Sequence, residues 1–218
     1  MPRESKAKKR ARAVEVVARL NEYYGEAITH LSHHDAFSLT IAVLLSAQTT
    51  DKAVNQVTPE LFKRWPDAHV MAGADPAQIE PIIHRLGYYR TKARNCVACA
   101  RMICERFGGE VPSTMEELTA LPGVGRKTAN IVLNSAFGIV EGIAVDTHVF
   151  RIAHQLRFST AKTPDATEKD LLEVFARESW KNINSHWVSF GREVCIANRP
   201  RCALCPLQDL CPSALNQQ

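Results

Sequence analysis

Four cysteines crowd the end of this sequence in the order Cys195-x6-Cys202-x2-Cys205-x5-Cys211. Four thiolates within 17 residues can wrap one metal centre. Zinc and a [4Fe–4S] cluster both accept such a set. The spacing favours the cluster. Structural zinc usually takes two short C-x2-4-C knuckles, and only Cys202 and Cys205 have that form. The longer gaps suit a larger cubane, and prolines at 200, 206 and 212 stiffen the loop. Arg199 and Arg201 lie in the first gap, where they can meet phosphate or simply solvent. Cys96, Cys99 and Cys104 are different: they sit among apolar residues of an expected helix and read as small buried hydrophobes.

A second group of residues with chemistry is Leu121-Pro122-Gly123-Val124-Gly125-Arg126-Lys127-Thr128. Gly123 and Gly125 permit a tight turn whose amides point outward. The helix that follows adds its free N-terminal N–H groups and positive dipole end. Together they form a phosphate seat indifferent to base identity. Lys127 then reads either as a phosphate-binding surface lysine or as an amine nucleophile. The nucleophile needs an unprotonated amine, which a helix N-terminus in a partly dry pocket favours. Asp146, in Val145-Asp146-Thr147-His148, reads as the N-cap of the next helix or as a carboxylate able to stabilise a cation.

The elements that must position these groups are helical nearly throughout. Residues 13–24 place Val14, Val17, Leu20 and Tyr24 on one apolar face. Residues 36–47 are apolar almost all round and predict a buried helix, closed by the polar turn Ser46-Ala47-Gln48-Thr49-Thr50-Asp51. One helix is expected over 51–64 and another from Asp75-Pro76. Thr91 is expected to cap a helix over 92–107, ended by Gly108-Gly109, and Ser113 to open the next with Glu116 as its capping box. Further helices are expected near 126–137, 147–156, 167–178 and 182–192. No sustained period-2 alternation or repeat appears, so the expected fold class is all-α. A composition shift at 138–145 is a candidate boundary.

The chain has 218 residues, 45% of them hydrophobic and 23% charged, which is ample for a buried core. No apolar run approaches a membrane span, and no secretory leader is visible. The net charge is +4, but residues 3–12 alone carry six positive charges against one negative. Such an arm either neutralises phosphates or is a solvated tail.

These motifs, in this order, resemble the endonuclease III superfamily of DNA glycosylases, from about residue 13 to Cys211. Residues 118–130 are similar to its helix-hairpin-helix, the four cysteines to its cluster loop, and Asp146 to its essential carboxylate. The resemblance implies a two-lobed helix-hairpin-helix glycosylase fold. Residues 29–140 would form a six-helix barrel domain, and residues 1–28 and 141–218 an iron–sulfur cluster domain. Lys127 and Asp146 would face each other across a DNA cleft. The implied activity is a bifunctional glycosylase and abasic-site lyase of base excision repair. It would remove oxidised pyrimidines such as thymine glycol from double-stranded DNA and cleave 3′ to the abasic site. Lys127 would attack C1′ and form a Schiff base. Gly123, Val124, Gly125, Arg126 and Thr128 would hold the DNA backbone, with Arg199 and Arg201 in support. Gln48 would fill the space of the extruded base. Tyr88, where the family pattern reads Gly-Leu-Tyr or Gly-Phe-Tyr, would be an aromatic wedge, although a core aromatic fits the same position. Thr147 and His148 would line the pocket or bind phosphate. The alternatives are a monofunctional mismatch-adenine glycosylase, which lacks the hairpin lysine, and a non-catalytic DNA-binding module. The resemblance further implies a monomer in the cytoplasm or nucleoid of a prokaryote, with no membrane partner. If the cysteines hold a [4Fe–4S] cluster, the purified protein is brown with broad visible absorbance; a colourless protein with stoichiometric zinc overturns that reading.

Overall fold

The computed structural model describes residues 4–25 and 29–215. Among them are thirteen α-helices, three short 3-10 turns and no strand. None of the helices is long and apolar enough to cross a membrane. The chain divides into two compact units, one made of Thr29–Glu141 and the other of Met1–Ile28 with Gly142–Gln218.

The unit of Thr29–Glu141 contains α2 (Ala36–Leu45), α3 (Asp51–Asn55), α4 (Thr58–Arg64), α5 (Ala68–Ala72), α6 (Pro76–Ile83), α7 (Tyr89–Phe107), α8 (Met115–Ala120) and α9 (Arg126–Phe137). Helix α2 is buried from Phe37 to Leu45, as its uniformly apolar sequence requires, and packs against α7 and α9. Leu39, Ile41, Leu61, Met71, Ile79 and Ile103 fill the core around it. There are eight helices where six were expected. The segment 51–64 is two helices, because a Pro59 ring inside one continuous helix would strike the carbonyl of Asn55. Helix α5 was not foreseen; Asp67 caps it, accepting from Val70 N–H at 2.8 Å. Helix α7 begins at Tyr89 rather than after Thr91, since Tyr88 turns the chain through a left-handed conformation. Thr114, not Ser113, caps α8, with Glu117 as its partner. Both pairs have the capping-box spacing, so the local pattern alone does not choose between them.

The other unit contains α1 (Lys6–Tyr24), α10 (Thr147–Gln155), α11 (Pro164–Val174), α12 (Trp180–Glu193) and α13 (Pro212–Leu215). Its core is built on Val16, Leu20, Ile152, Phe158, Phe175 and Trp187, with the last three rings in mutual contact. Helix α1 buries Ala13, Val16 and Leu20, with Val17 and Tyr24 packed against the same core; of the expected face only Val14, at 66% exposed, lies outside it. Helix α11 is capped by Thr163 with Pro164 at its first position, and ends where Phe175 turns into the core. The basic arm is not a loose tail. Arg3 lies outside the described residues, but Lys9 donates to the Phe158 carbonyl at 2.9 Å and Arg10 to that of Glu173 at 3.1 Å. Arg12 pairs with Glu4 at 2.7 Å and lies over the Phe158 ring.

The turn between α8 and α9 depends on one glycine. Gly123 has φ +80°, and a Cβ there would lie 2.8 Å from Asn95 Nδ2. Gly125 has φ −94°, and a Cβ there would meet nothing within 4 Å, so neither strain nor crowding demands glycine at that position. Gly123→Ala is therefore expected to destabilise the protein by about 1–3 kcal/mol in chemical denaturation, and Gly125→Ala by much less.

Candidate functional site

In the unit of Thr29–Glu141, Gly125 is the N-cap residue of α9, and no side chain caps that helix. Its first turn therefore starts beside the Gly123-Val124-Gly125 turn with no capping side chain at the N-cap position. Val124 is buried and anchors the turn, its N–H donating to the Leu121 carbonyl at 3.0 Å. Arg126 and Lys127 are exposed and Thr128 is half-buried. Lys127 thus stands in solvent rather than in the partly dry pocket expected of it.

Gln48 and Tyr88 belong to the same unit. Both have left-handed backbone, at φ 52° and 58°, a conformation costing a non-glycine residue on the order of 1–3 kcal/mol. Both side chains are exposed, Tyr88 at 70%, so Tyr88 is not a core aromatic. The two turns are neighbours: a Cβ on Gly87 would lie 3.9 Å from the Gln48 carbonyl oxygen.

In the other unit, residues 142–145 are buried and deliver Asp146 to the start of α10. Two side chains hold this segment by its backbone. Ile143 N–H donates to Glu168 Oε1 at 3.1 Å, and Asn184 Nδ2 donates to the Ala144 carbonyl at 2.6 Å. Asp146 caps α10 through Oδ1, which accepts from the amides of His148 at 2.9 Å and Val149 at 2.8 Å. Oδ2 takes no part in that cap. The N-cap and carboxylate readings of Asp146 are therefore compatible. Thr147 is exposed and His148 half-buried. Arg151 Nη2 lies 3.2 Å from His148 Nδ1. A guanidinium only donates, so Nδ1 accepts and a neutral imidazole carries its proton on Nε2. Arg151 also donates to the carbonyls of Gly191 and Cys195 and reaches the Cys195 sulfur at 3.6 Å. Gly191 makes room for this network, since a Cβ there would meet His148 Nδ1 at 2.7 Å.

Cys195, Cys202, Cys205 and Cys211 line one cavity of about 220 Å³ in this unit. Among the described residues, no three His, Cys, Asp or Glu side chains converge on a point that would hold a single ion. A tetrahedral zinc centre draws its sulfurs to about 2.3 Å from one atom. The four thiols share one cavity, and an all-thiol donor set suits an iron–sulfur cluster. Two hydrogen-bond donors already face these sulfurs: Arg151, and the Leu207 N–H at 3.4 Å from Cys205 Sγ. Burial pushes the Cys205 thiol up to about 11. It raises Cys195 too, against the pull of Arg151. Ligation would therefore release protons. Arg199 and Arg201 are exposed on the loop. Cys96 and Cys99 are buried within α7, and Cys104 is half-buried with its sulfur 3.6 Å from His69 Nδ1.

Residues 41–177 match the profile of the HhH-GPD superfamily base excision DNA repair proteins. Endonuclease III of Synechocystis is 46% identical over 208 residues, covering 95% of each chain. The chain belongs to the endonuclease III family. Endonuclease III of Escherichia coli K12 is 42% identical, covering 93% of this chain and 95% of the relative. A trapped endonuclease III–DNA covalent intermediate superposes with a TM-score of 0.89 at 38% identity, over 99% of both chains. A non-covalent endonuclease III–DNA complex matches equally well. A thermostable thymine-DNA glycosylase, at 19% identity and a TM-score of 0.82, shares the fold.

Within this family member, Arg151 and Lys92 were not singled out by sequence. For Arg151 a signal existed, since it lies three residues after His148 and so on the same helical face. Lys92 is only 4% exposed and carried no such signal. Capping and chemistry at Asp146 are separable by substitution. Asp146→Ala is expected to cost about 1 kcal/mol of stability, whereas Asp146→Asn, which still caps, unfolds close to wild type in urea.

Proposed function

We propose that this chain is a bifunctional DNA glycosylase and abasic-site lyase of base excision repair. Its substrates are oxidised pyrimidines in double-stranded DNA. The observation that carries the reading is Lys127, exposed at the second position of an uncapped helix that follows a glycine turn, in a chain 38% identical to a covalently trapped endonuclease III.

The hairpin amides and the dipole of α9 seat a phosphate beside the lesion. Arg126 and Thr128 extend that contact, and Arg199 and Arg201 add charge from the cluster loop. The damaged nucleotide leaves the stack, because its sugar is out of reach inside the duplex. Gln48 and Tyr88 fill the space it vacates, Tyr88 by stacking on the orphaned base.

Lys127 Nζ then donates its lone pair to C1′, and the base departs with the electrons of the glycosidic bond. The lysine loses its proton, the C1′–O4′ bond opens, and a protonated imine remains. The imine acidifies C2′–H; its removal expels the 3′ phosphate by β-elimination. Water releases the sugar fragment and restores the amine. Asp146 stabilises the cationic sugar and assists deprotonation of the lysine through the oxygen its cap leaves unused. Thr147 and His148, which follow Asp146 in α10, contact DNA near the damaged nucleotide.

Cys195, Cys202, Cys205 and Cys211 would hold a [4Fe–4S] cluster. When bound, it supplies covalent cross-links across the loop and a redox-active centre. Each bond change above falls to the chain's own residues.

Borohydride trapping tests the reading. Wild-type protein is expected to give a covalent adduct with lesion-containing duplex, and Lys127→Gln none. Asp146→Asn should slow base release by about 10²-fold or more. Absence of any adduct with the wild-type protein would sink the proposal.

A further inference from the structure

Left-handed backbone at a non-glycine residue persists only where its surroundings over-determine it. Gln48 and Tyr88 are two of the three such residues among those described. One residue touches both turns, that of Tyr88 through its backbone and that of Gln48 through its side chain. The Lys92 N–H donates to the Tyr88 carbonyl at 3.0 Å. Its Nζ donates to Thr49 Oγ1, next in sequence to Gln48, at 2.7 Å. The Thr49 hydroxyl in turn lies 3.4 Å from the Ala47 carbonyl, and the Thr49 N–H donates to the Ser46 carbonyl at 3.0 Å.

Lys92 is an unusual residue for this place. It is 4% exposed on a helix whose neighbouring inward positions are Ala93, Cys96 and Val97. Burying an amine is unfavourable, and methionine would fill the same volume without that penalty. Burial draws its affinity for a proton below the usual lysine range. A lysine nitrogen nevertheless keeps hydrogens to donate in either charge state, so the bond to Thr49 does not depend on protonation.

We infer that Lys92 is the positioning residue of the DNA wedge: it ties the Gln48 turn to the start of α7, so that Gln48 and Tyr88 enter the duplex as one preset unit. The inference rests on the roles given to Gln48 and Tyr88 above. It assigns Lys92 no contact with DNA.

The test uses full-length, cluster-loaded protein and the variants Lys92→Met, Thr49→Val, the double variant and Lys92→Arg. A duplex with a tetrahydrofuran abasic analogue opposite 2-aminopurine reports wedge entry, because the orphaned fluorophore brightens as it is unstacked. Borohydride trapping on a single-stranded abasic oligonucleotide reports the lysine chemistry with no opposite strand to wedge. Lys92→Met is expected to lower the brightening response about tenfold, the scale of one hydrogen bond to a charged group, and to lower single-strand trapping far less. Thr49→Val should do the same, the double variant should lose no more than either, and Lys92→Arg should recover part of the signal. Unchanged brightening in Lys92→Met overturns the inference, as do parallel losses on both substrates or additive losses in the double variant. Hydrogen exchange without DNA is an independent measurement: faster exchange confined to residues 46–50 and 88–92 supports the tie, and uniformly faster exchange refutes it. A wild-type protein that traps no abasic DNA refutes the proposed function, and the exchange comparison then judges Lys92 alone.

Discussion

The first turn of an α-helix leaves its amide hydrogens without partners inside the helix. How each helix meets that deficit organises the chemistry of this protein. Asp35, Asp67 and Asp75 satisfy it with their own carboxylates, and Thr50, Thr114 and Thr163 with hydroxyls. Helix α9 has no such side chain, because its N-cap is Gly125. The glycine turn and the start of α9 thus carry no capping side chain of their own, and Lys127 stands two residues beyond Gly125. Helix α10 is capped, but by Asp146 through a single oxygen, so one carboxylate both begins a helix and keeps an oxygen outside the cap.

Each of these arrangements is held by packing away from the reacting groups. Val124 buries the middle of the hairpin, and α9 lies along the wholly buried α2. The approach to Asp146 is fixed by Glu168 and Asn184, which bond the backbone of the preceding residues. Gly191 lets α12 come close enough to α10 for Arg151 to reach His148 and Cys195 together. The cysteine loop and the helix capped by Asp146 are therefore joined by one guanidinium, in a planar fork that a lysine would not reproduce.

The left-handed positions Gln48 and Tyr88 lie on adjoining turns. The left-handed conformations of Gln48 and Tyr88 hold polar and aromatic side chains out of the core. The buried Lys92 side chain bonds Thr49, next to Gln48, and so links that turn to α7. An exposed tyrosine at this position gives a broad, flat aromatic surface.

The sequence by itself determined the elements whose signal is local and chemical. The uniformly apolar run 36–47 could only be a buried helix, and Asp75-Pro76 opened one as expected. The order of glycine turn, lysine, aspartate and four cysteines specified the family without coordinates, because each motif has a dull reading alone and the set does not. What only the tertiary structure decided were choices between equivalent local patterns and contacts between distant residues. Ser113 and Thr114 both satisfy the capping pattern, and only the folded chain selects Thr114. The inner face of α1 keeps Val17, Leu20 and Tyr24 but takes Ala13 and Val16 in place of Val14, since a helix shows which residues are apolar but not where the edge of the covered stripe falls. Arg151 on the Cys195 sulfur spans 44 positions, and Lys92 on Thr49 spans 43. No periodicity or propensity carries that information, because it exists only once the helices have packed.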